Sequence, residues 1–598
     1  MQLSAIDWVV IGAYFVVALG VGLYFRKRAG KNLAEFFISG RSLPWWIAGT
    51  SMVATTFAAD TPLAVVGLTA DHGLAGNWFW WSMAMGGMVT VFVYSRLWRR
   101  AEVMTDQEVV EMRYGGKPAS FLRGFRAVYF ALPINCIIVG WVTSALVTVM
   151  NETILYKGPG TEPSMTMNWL IIVGCLAIVG VYSVLSGMWG VAVTDVIQFV
   201  LAMGGCIALA VLAVNDAGGM AQLRTNVAAA MPDGQDAFRF LPDFSTADPL
   251  MPLQMFLVYL FILWWASWYP GAEPGGGGYV VQRMASCKDE KHSLLATLWF
   301  QVAHYCVRPW PWLLVAFAAI AKYPDLLTLE NKGVGFPRIM RDLLPSGLRG
   351  LLLVAFLAAF MSTLSTQINW GASYLVSDVY KRFMRPDATD RQLAVASRWA
   401  SLLVLLAGGA SAFVMVYKDV SVDTAWKLLA ALGAGTGAVY MLRWFWWRIN
   451  AWAELSAMAA SLVYYALFAF VIAEDMPNQY RLAIVAGLTI ATWVVVMLVT
   501  PHEKEETLVR FFEKVRPGGP GWGPLAAKCP HVVRDKQLGL SLVCAGLGAT
   551  LVYLTLPGVG LLLFGEWLKG LACLGGAAIC AGGIVVLLNR TGWEKLVR

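Results

Sequence analysis

Apolar residues along most of this chain run in unbroken blocks. They do not alternate at the period of two or 3.6 that marks a half-buried strand or a surface helix. Each block has about the 20 residues that a helix needs to cross the hydrocarbon of a bilayer. The blocks fall near residues 5–25, 45–67, 76–97, 121–149, 168–186, 190–214, 251–270, 293–321, 350–379, 394–416, 424–447, 451–473, 481–500, 537–555 and 559–588, and predict about 15 crossings. The expected fold is an all-α polytopic membrane protein. Glu566 and Lys569 interrupt the last block, so a hairpin or an interfacial turn is expected there. The first block lacks the basic lead and small-residue cleavage site of a signal peptide, and reads as a span.

One block carries an unusual polar pattern. Between Ala358 and Asn369, Ser362, Ser365, Thr366 and Asn369 follow i, i+3, i+4, i+7, with Thr363 beside them. They share one helix face. Hydrocarbon offers such oxygens no partner, so the stripe implies a buried, hydrated or cation-occupied site. The bland alternative is that each hydroxyl bonds the carbonyl one turn back on its own helix.

Two other blocks carry helix breakers. Ser51–Pro62 places threonines, Asp60 and Pro62 in mid-span, which weakens the backbone ladder and frees carbonyls. Trp264–Tyr279 contains two prolines and five glycines, which cannot continue a regular helix. Broken segments in corresponding positions of two five-helix halves are the pattern of an inverted-repeat transporter, with the site at the breaks. The two halves share no convincing sequence identity, so the repeat rests on topology.

Composition agrees with a membrane protein. The chain has 598 residues, 58% hydrophobic and 14% charged, with mean hydropathy +0.62. Its net charge of +8 is not a nucleic-acid footprint, because the basic residues cluster at alternate ends of spans. Arg26–Arg28, Arg96–Arg100, Arg113–Arg126, Arg283–Lys291, Lys381–Arg398, Arg443–Arg448, Lys504–Lys536 and Arg590–Arg598 all fall on one side. That side is expected to be cytoplasmic, with the N-terminus outside and the C-terminus inside. Residues 501–536 form a connector on that face: Glu503–Arg516 reads as an amphipathic surface helix and Pro517–Pro524 as a structureless turn region. The nine cysteines show no zinc or disulfide spacing.

At these motifs the chain resembles the sodium:solute symporter family. Phe36–Trp46 (F-F-I-S-G-R-S-L-P-W-W) resembles the family's lead-in to the first core helix, and Gly49–Asp60 that broken helix. Val193–Gln198 (V-T-D-V-I-Q) resembles the fifth core helix, Val280–Arg283 (V-V-Q-R) the stretch that follows the sixth, and Ala358–Thr366 with Ser377–Tyr380 the eighth. The resemblance covers about residues 5–500 and implies a LeuT-like five-plus-five inverted repeat, with one extra N-terminal helix and several extra C-terminal helices. The expected layout is an accessory helix in 1–40, the transport core in 41–450, accessory helices in 451–500, the connector in 501–536 and a C-terminal appendage in 537–598.

The resemblance also implies site residues. Sodium would be held by the backbone carbonyls of Ala54, Phe57 and Ala359 and the hydroxyls of Ser362 and Thr363. A hard cation wants such oxygens, and unwound carbonyls supply partial charge without a carboxylate. Some members bind a second cation, which here would use Asp195, Ser362, Ser365 and Thr366. Asp195 lies near the start of its span, so an interfacial structural role stays open. The solute site is implied at Thr56, Asp60, Thr61, Trp80, Trp264, Trp268, Tyr269, His304 and Lys427, with Trp265, Tyr305 and Trp426 beside them.

Aromatic faces with hydroxyl and carboxylate partners suit a sugar or sugar derivative, and the same faces suit a cationic amine. Arg308, in mid-span, needs a partner such as Asp60, Glu273 or a substrate carboxylate. The resemblance thus implies a sodium-coupled importer of a small polar solute, with sodium and the lipid bilayer as its partners. The alternatives are carriers of a carboxylate, amino acid or amine, a proton-coupled carrier, and a solute sensor on the same fold. No catalytic residue is nominated: the chain has no H-E-x-x-H or G-x-S-x-G motif, and its five histidines do not cluster.

Overall fold

A computed structural model describes residues 3–29, 33–158, 164–232, 235–245, 249–267, 275–473, 475–533, 535 and 537–590. Among these the chain is helical, and the one extended pairing joins Leu43 to Cys287. Among the described residues every apolar block is built mainly of helix. Nine helices are long and apolar enough to cross a membrane, or eleven when each of two bent pairs counts as one span, among the described residues. The blocks at 168–186 and 190–214 fall on the helical run Met165–Asp216, as an apolar helix Met165–Gly180 and a span Met188–Asp216. No proline falls anywhere in that run to stop the helix. The last two blocks form a helix pair, Leu538–Leu563 and Trp567–Arg590, turned at Phe564–Glu566 and not at 555–559.

The first break is present. Helix Trp45–Thr55 stops, four residues leave the helix, and Asp60–His72 restarts at an angle of 57°. Pro62 is the third residue of the restarted helix. A helix's first N–H groups have no intrahelical acceptor, so this proline forfeits no bond and marks the restart. In the seventh block, the described residues hold helix to Ala266, and the next described helix is Gly278–Ser286. Gly275, Gly276 and Gly278 there adopt positive φ of 86°, 80° and 56°, which side chains disfavour. A further bend was not expected. Val422–Leu432 and Thr436–Leu442 meet at 58°. The bend turns on Gly435 (φ 87°), whose N–H donates to Ala266 O at 2.8 Å. The second break and this bend are therefore tied together.

The N-terminal helix, the 501–536 segment and the C-terminal helix pair are fastened to the rest of the chain by specific contacts. Both Gly347 N and Gly350 N donate to the Asp7 carboxylate, at 2.8 and 2.7 Å. A side chain of the N-terminal helix thus caps the start of Leu348–Ser373, the helix that carries the polar stripe. In the connector, helix Glu505–Val515 buries Leu508, Phe511, Phe512 and Val515, as its amphipathic pattern predicts. The expected structureless stretch after it instead holds short helical turns, Pro520–Trp522 and Gly523–Ala526. Trp522 is the reason: it is buried, stacks on Phe511 and donates to Trp444 O at 2.8 Å. The C-terminal pair is fixed to the core by Tyr553, whose hydroxyl donates to Trp81 O and Ser82 O.

A Cβ on Gly435 would lie 2.5 Å from Thr489 Cβ, in a backbone conformation that costs an L-residue about 1–2 kcal/mol before any clash. Gly435→Ala should therefore lower the thermal unfolding midpoint in detergent. Gly539→Ala, where a Cβ meets nothing within 4 Å, should leave it unchanged. Equal effects from both would contradict this account of the bend.

Candidate solute and cation site

The polar stripe on Leu348–Ser373 is buried throughout. Most of its groups bond to other helices. Ser362 Oγ donates to Asp195 Oδ1 at 2.6 Å, and Ser51 Oγ from the first half-helix donates to Asp195 Oδ2 at 2.5 Å. Thr363 Oγ1 donates to Thr55 O at 2.9 Å, the last residue before the helix unwinds. Thr366 Oγ1 and Thr55 Oγ1 lie 3.2 Å apart, and Gln282 Nε2 donates to Asn369 Oδ1 at 2.8 Å. Ser365 alone follows the bland pattern, donating to Ser362 O on its own helix at 3.0 Å. The stripe is thus the wall that faces the first break. It supplies hydroxyls where the backbone has lost its own ladder.

Asp195 lies in the interior of Met165–Asp216 and is fully buried. A residue not nominated above completes this centre. Arg283, on the half-helix that follows the second break, is fully buried. Its Nη2 lies 3.9 Å from Asp195 Oδ2 and donates to Thr366 Oγ1 at 2.7 Å and Thr55 Oγ1 at 3.3 Å. Its Nε donates to Ser51 Oγ at 3.2 Å. The signal in the sequence was the V-V-Q-R motif itself: an arginine beside a predicted break at membrane depth must find a carboxylate.

Beside this centre lies a cavity. Thr56, Asp60 and Thr61 line it from the first break, Trp80 from the next span, Trp141 and Gln367 from either side, and Tyr279, His304, Tyr305, Arg308 and Trp426 complete it. Trp80 and Tyr305 stack with centroids 5.8 Å apart and planes at 22°. Trp141 Nε1 donates to Asp60 Oδ2 at 2.8 Å, and Thr61 Oγ1 donates to Asp60 Oδ1 at 3.2 Å. His304 and Arg308 are presented by a π-helical turn, Ala303–Val307, in which Arg308 N donates to Ala303 O. That turn precedes Pro309, which a regular helix would not accept in its interior. Arg308 donates to Val53 O at 3.1 Å, to Thr56 Oγ1 at 3.0 Å and to His304 Nδ1 at 2.7 Å. Its partners thus include the freed carbonyl end of the first half-helix.

The structure gathers Thr56, Asp60, Thr61, Trp80 and His304 around one cavity. Ala54, Phe57, Ala359, Ser362 and Thr363 are all buried, and Thr363 lines the cavity. Lys427 is elsewhere: it pairs with Asp423 one turn back at 2.9 Å, while its neighbour Trp426 reaches the cavity. Trp264 is half-buried against Gly86 and does not line the cavity. Trp268, Tyr269 and Glu273 lie outside the described residues. Trp141, Tyr279 and Gln367 were not nominated, because a tryptophan, tyrosine or glutamine within a span carries no local mark of facing a site.

Helices broken at membrane depth, facing a polar stripe and a mixed aromatic and polar cavity, define a secondary transporter. The profile of the Sodium:solute symporter family matches residues 36–463, well over half the chain, and the chain belongs to that family. It is 25% identical to the sodium/glucose cotransporter 1 of Oryctolagus cuniculus over 489 residues, covering 75% of this chain and 69% of that protein. It is also 25% identical to a sodium/glucose cotransporter of Vibrio parahaemolyticus over 495 residues, covering 79% of this chain and 87% of that one. A sodium/mannose cotransporter, SLC5A10 of Bos taurus, is 25% identical over 486 residues, 75% of this chain and 76% of its own. A substrate-bound, outward-open Na+-coupled sialic acid symporter superposes with a TM-score of 0.64 at 20% identity, over 84% of this chain and all of that one. The fold is therefore the LeuT-type inverted repeat, and the protein is a multi-pass, sodium-coupled symporter, not an enzyme.

Trp141→Phe removes a donor from the buried Asp60 carboxylate, and a hydrogen bond to a charged group is worth about 1.5–3 kcal/mol. The variant should unfold at a lower temperature in detergent. An unchanged midpoint would mean that Asp60 does not depend on Trp141.

Proposed function

We propose that this symporter imports a sugar or sugar derivative, and that sodium binds between the first break and the polar stripe. The observation that carries the solute is the cavity at the break. Flat faces of Trp80, Tyr305 and Trp141 offer stacking surfaces for a sugar ring. Thr56, Asp60, Thr61, His304 and Gln367 offer donors and acceptors for its hydroxyls. The glucose and mannose carriers among its relatives support the same class. Arg308 on the cavity wall is the feature that favours an acidic sugar derivative over a neutral one.

For the ion, the ligands are the carbonyls of Ala54, Phe57 and Ala359 and the hydroxyls of Ser362 and Thr363. Two of these sit on unwound or terminal backbone of the first half-helix, and three on the stripe helix that faces it. Thr363 joins the two walls through its bond to Thr55 O. A site of neutral oxygens holds sodium without trapping it, which lets the ion leave where its concentration is low. Because one wall belongs to the broken helix that also lines the solute cavity, ion and solute stabilise the same arrangement of that helix. That shared arrangement is the coupling. The clustering of basic residues at one set of span ends supports a cytoplasmic C-terminus and 501–536 connector, with the N-terminus outside.

The test is uptake of radiolabelled glucose, mannose, galactose and a uronic acid into proteoliposomes. At least one sugar should enter faster with external sodium than with potassium. Ser362→Ala and Thr363→Ala should each lower that stimulation at least about tenfold, since even partners outside a metal's first sphere act on this scale. Uptake indifferent to sodium, or unaltered in both variants, would sink the assignment of the ion site. Transport of none of the four would sink the sugar.

A further inference from the structure

The centre around Asp195 holds a fixed cation of its own. Asp195, Ser362 and Thr366 are three of the four side chains expected to bind a second cation, and Arg283 reaches into the space between them. A guanidinium is always charged and only donates. Its contacts account for both Nη2 and Nε, which meet Thr366, Thr55, Ser51 and the Asp195 carboxylate. Nη1 adds Gln282 Oε1 at 3.4 Å. The oxygens that a sodium ion would recruit are thus already turned toward a positive charge. Each Asp195 oxygen also accepts a hydroxyl, from Ser51 or from Ser362.

A small cation placed at this carboxylate would lie next to the guanidinium, inside the protein, where like charges repel far more than in water. Arg283 is carried by an element of the second break. Its half-helix, Gly278–Ser286, follows the glycines at 275, 276 and 278 that hold positive φ, and belongs to the second break.

We propose that Arg283 is a tethered competitor of sodium at Asp195. In this conformation its guanidinium occupies the second cation position, and sodium binds there only when the guanidinium is withdrawn or removed. The first sodium position, on the carbonyls of Ala54, Phe57 and Ala359, is untouched by Arg283. Ser362 is common to both positions, and its hydroxyl proton is committed to Asp195 while its lone pairs stay open. Arginine exchange at Asp195 therefore links the second break to the stripe that lines the first sodium position. The proposal rests on the sodium-coupled reading given above.

The experiment is equilibrium binding of ²²Na+ to the purified full-length protein. Wild type should bind one sodium per chain over the range that saturates its higher-affinity site. Arg283→Gln keeps hydrogen-bonding capacity but removes the charge, and should bind a second sodium with an apparent affinity at least about tenfold above any second binding in wild type. The double variant D195N/R283Q should return to one. Arg283→Gln with unchanged stoichiometry and affinity would overturn the proposal. So would two equivalents of comparable affinity in wild type, which decides the matter even if the variant does not fold. Wild type that binds no sodium at all would instead refute the proposed coupling, so the two failures are distinguishable.

Discussion

The constraint on which this structure depends is that a bilayer offers no hydrogen bonds. A helix broken at membrane depth exposes carbonyls and N–H groups that hydrocarbon cannot satisfy, so the protein must build a polar wall opposite the break. Here that wall is the stripe on Leu348–Ser373. Thr363 takes up the carbonyl of Thr55, Thr366 meets the Thr55 side chain, and Ser362 reaches Asp195. The same requirement explains Arg308, which donates to Val53 O one turn earlier in the broken helix. Groups that look costly when read singly are partners for a backbone that gave up its ladder.

That arrangement places two tasks on one short segment. Thr55 and Thr56 end the first half-helix, and Asp60 and Thr61 begin the second. Their inner side faces the stripe and the buried Asp195–Arg283 pair. Their outer side lines the solute cavity with Trp80, Trp141 and His304. Any shift of the segment must alter both sides together, and this is the physical content of coupling. Rigidity elsewhere supports it. Asp7 caps the stripe helix from a separate element, and the connector holds Trp444 and Phe511 through the buried Trp522.

Much of this was legible because the bilayer makes polar residues informative. The stripe was visible as hydroxyls at helical spacing in an apolar block, and the first break as Asp60 and Pro62 in mid-span. What stayed hidden was pairing across the fold. Nothing local to Asp195 points to Ser51 or Arg283, and nothing local to Asp60 points to Trp141. The bend at Gly435 was missed because a glycine inside an apolar run is common, and only its contact with Ala266 O reveals the turn. Lys427 was misplaced by one position on a helix. Its neighbour Trp426 faces the cavity, and the lysine instead finds Asp423.

The central claim is that sodium sits between the unwound end of the first half-helix and the polar stripe. The most direct measurement is a high-resolution structure of the protein determined in thallium(I), a heavy monovalent cation that replaces sodium and is located by its anomalous signal. The account predicts a peak bounded by the carbonyls of Ala54, Phe57 and Ala359 and the hydroxyls of Ser362 and Thr363, lost when sodium is added in excess. A sodium-sensitive peak elsewhere in the protein, with none at this position, would contradict it.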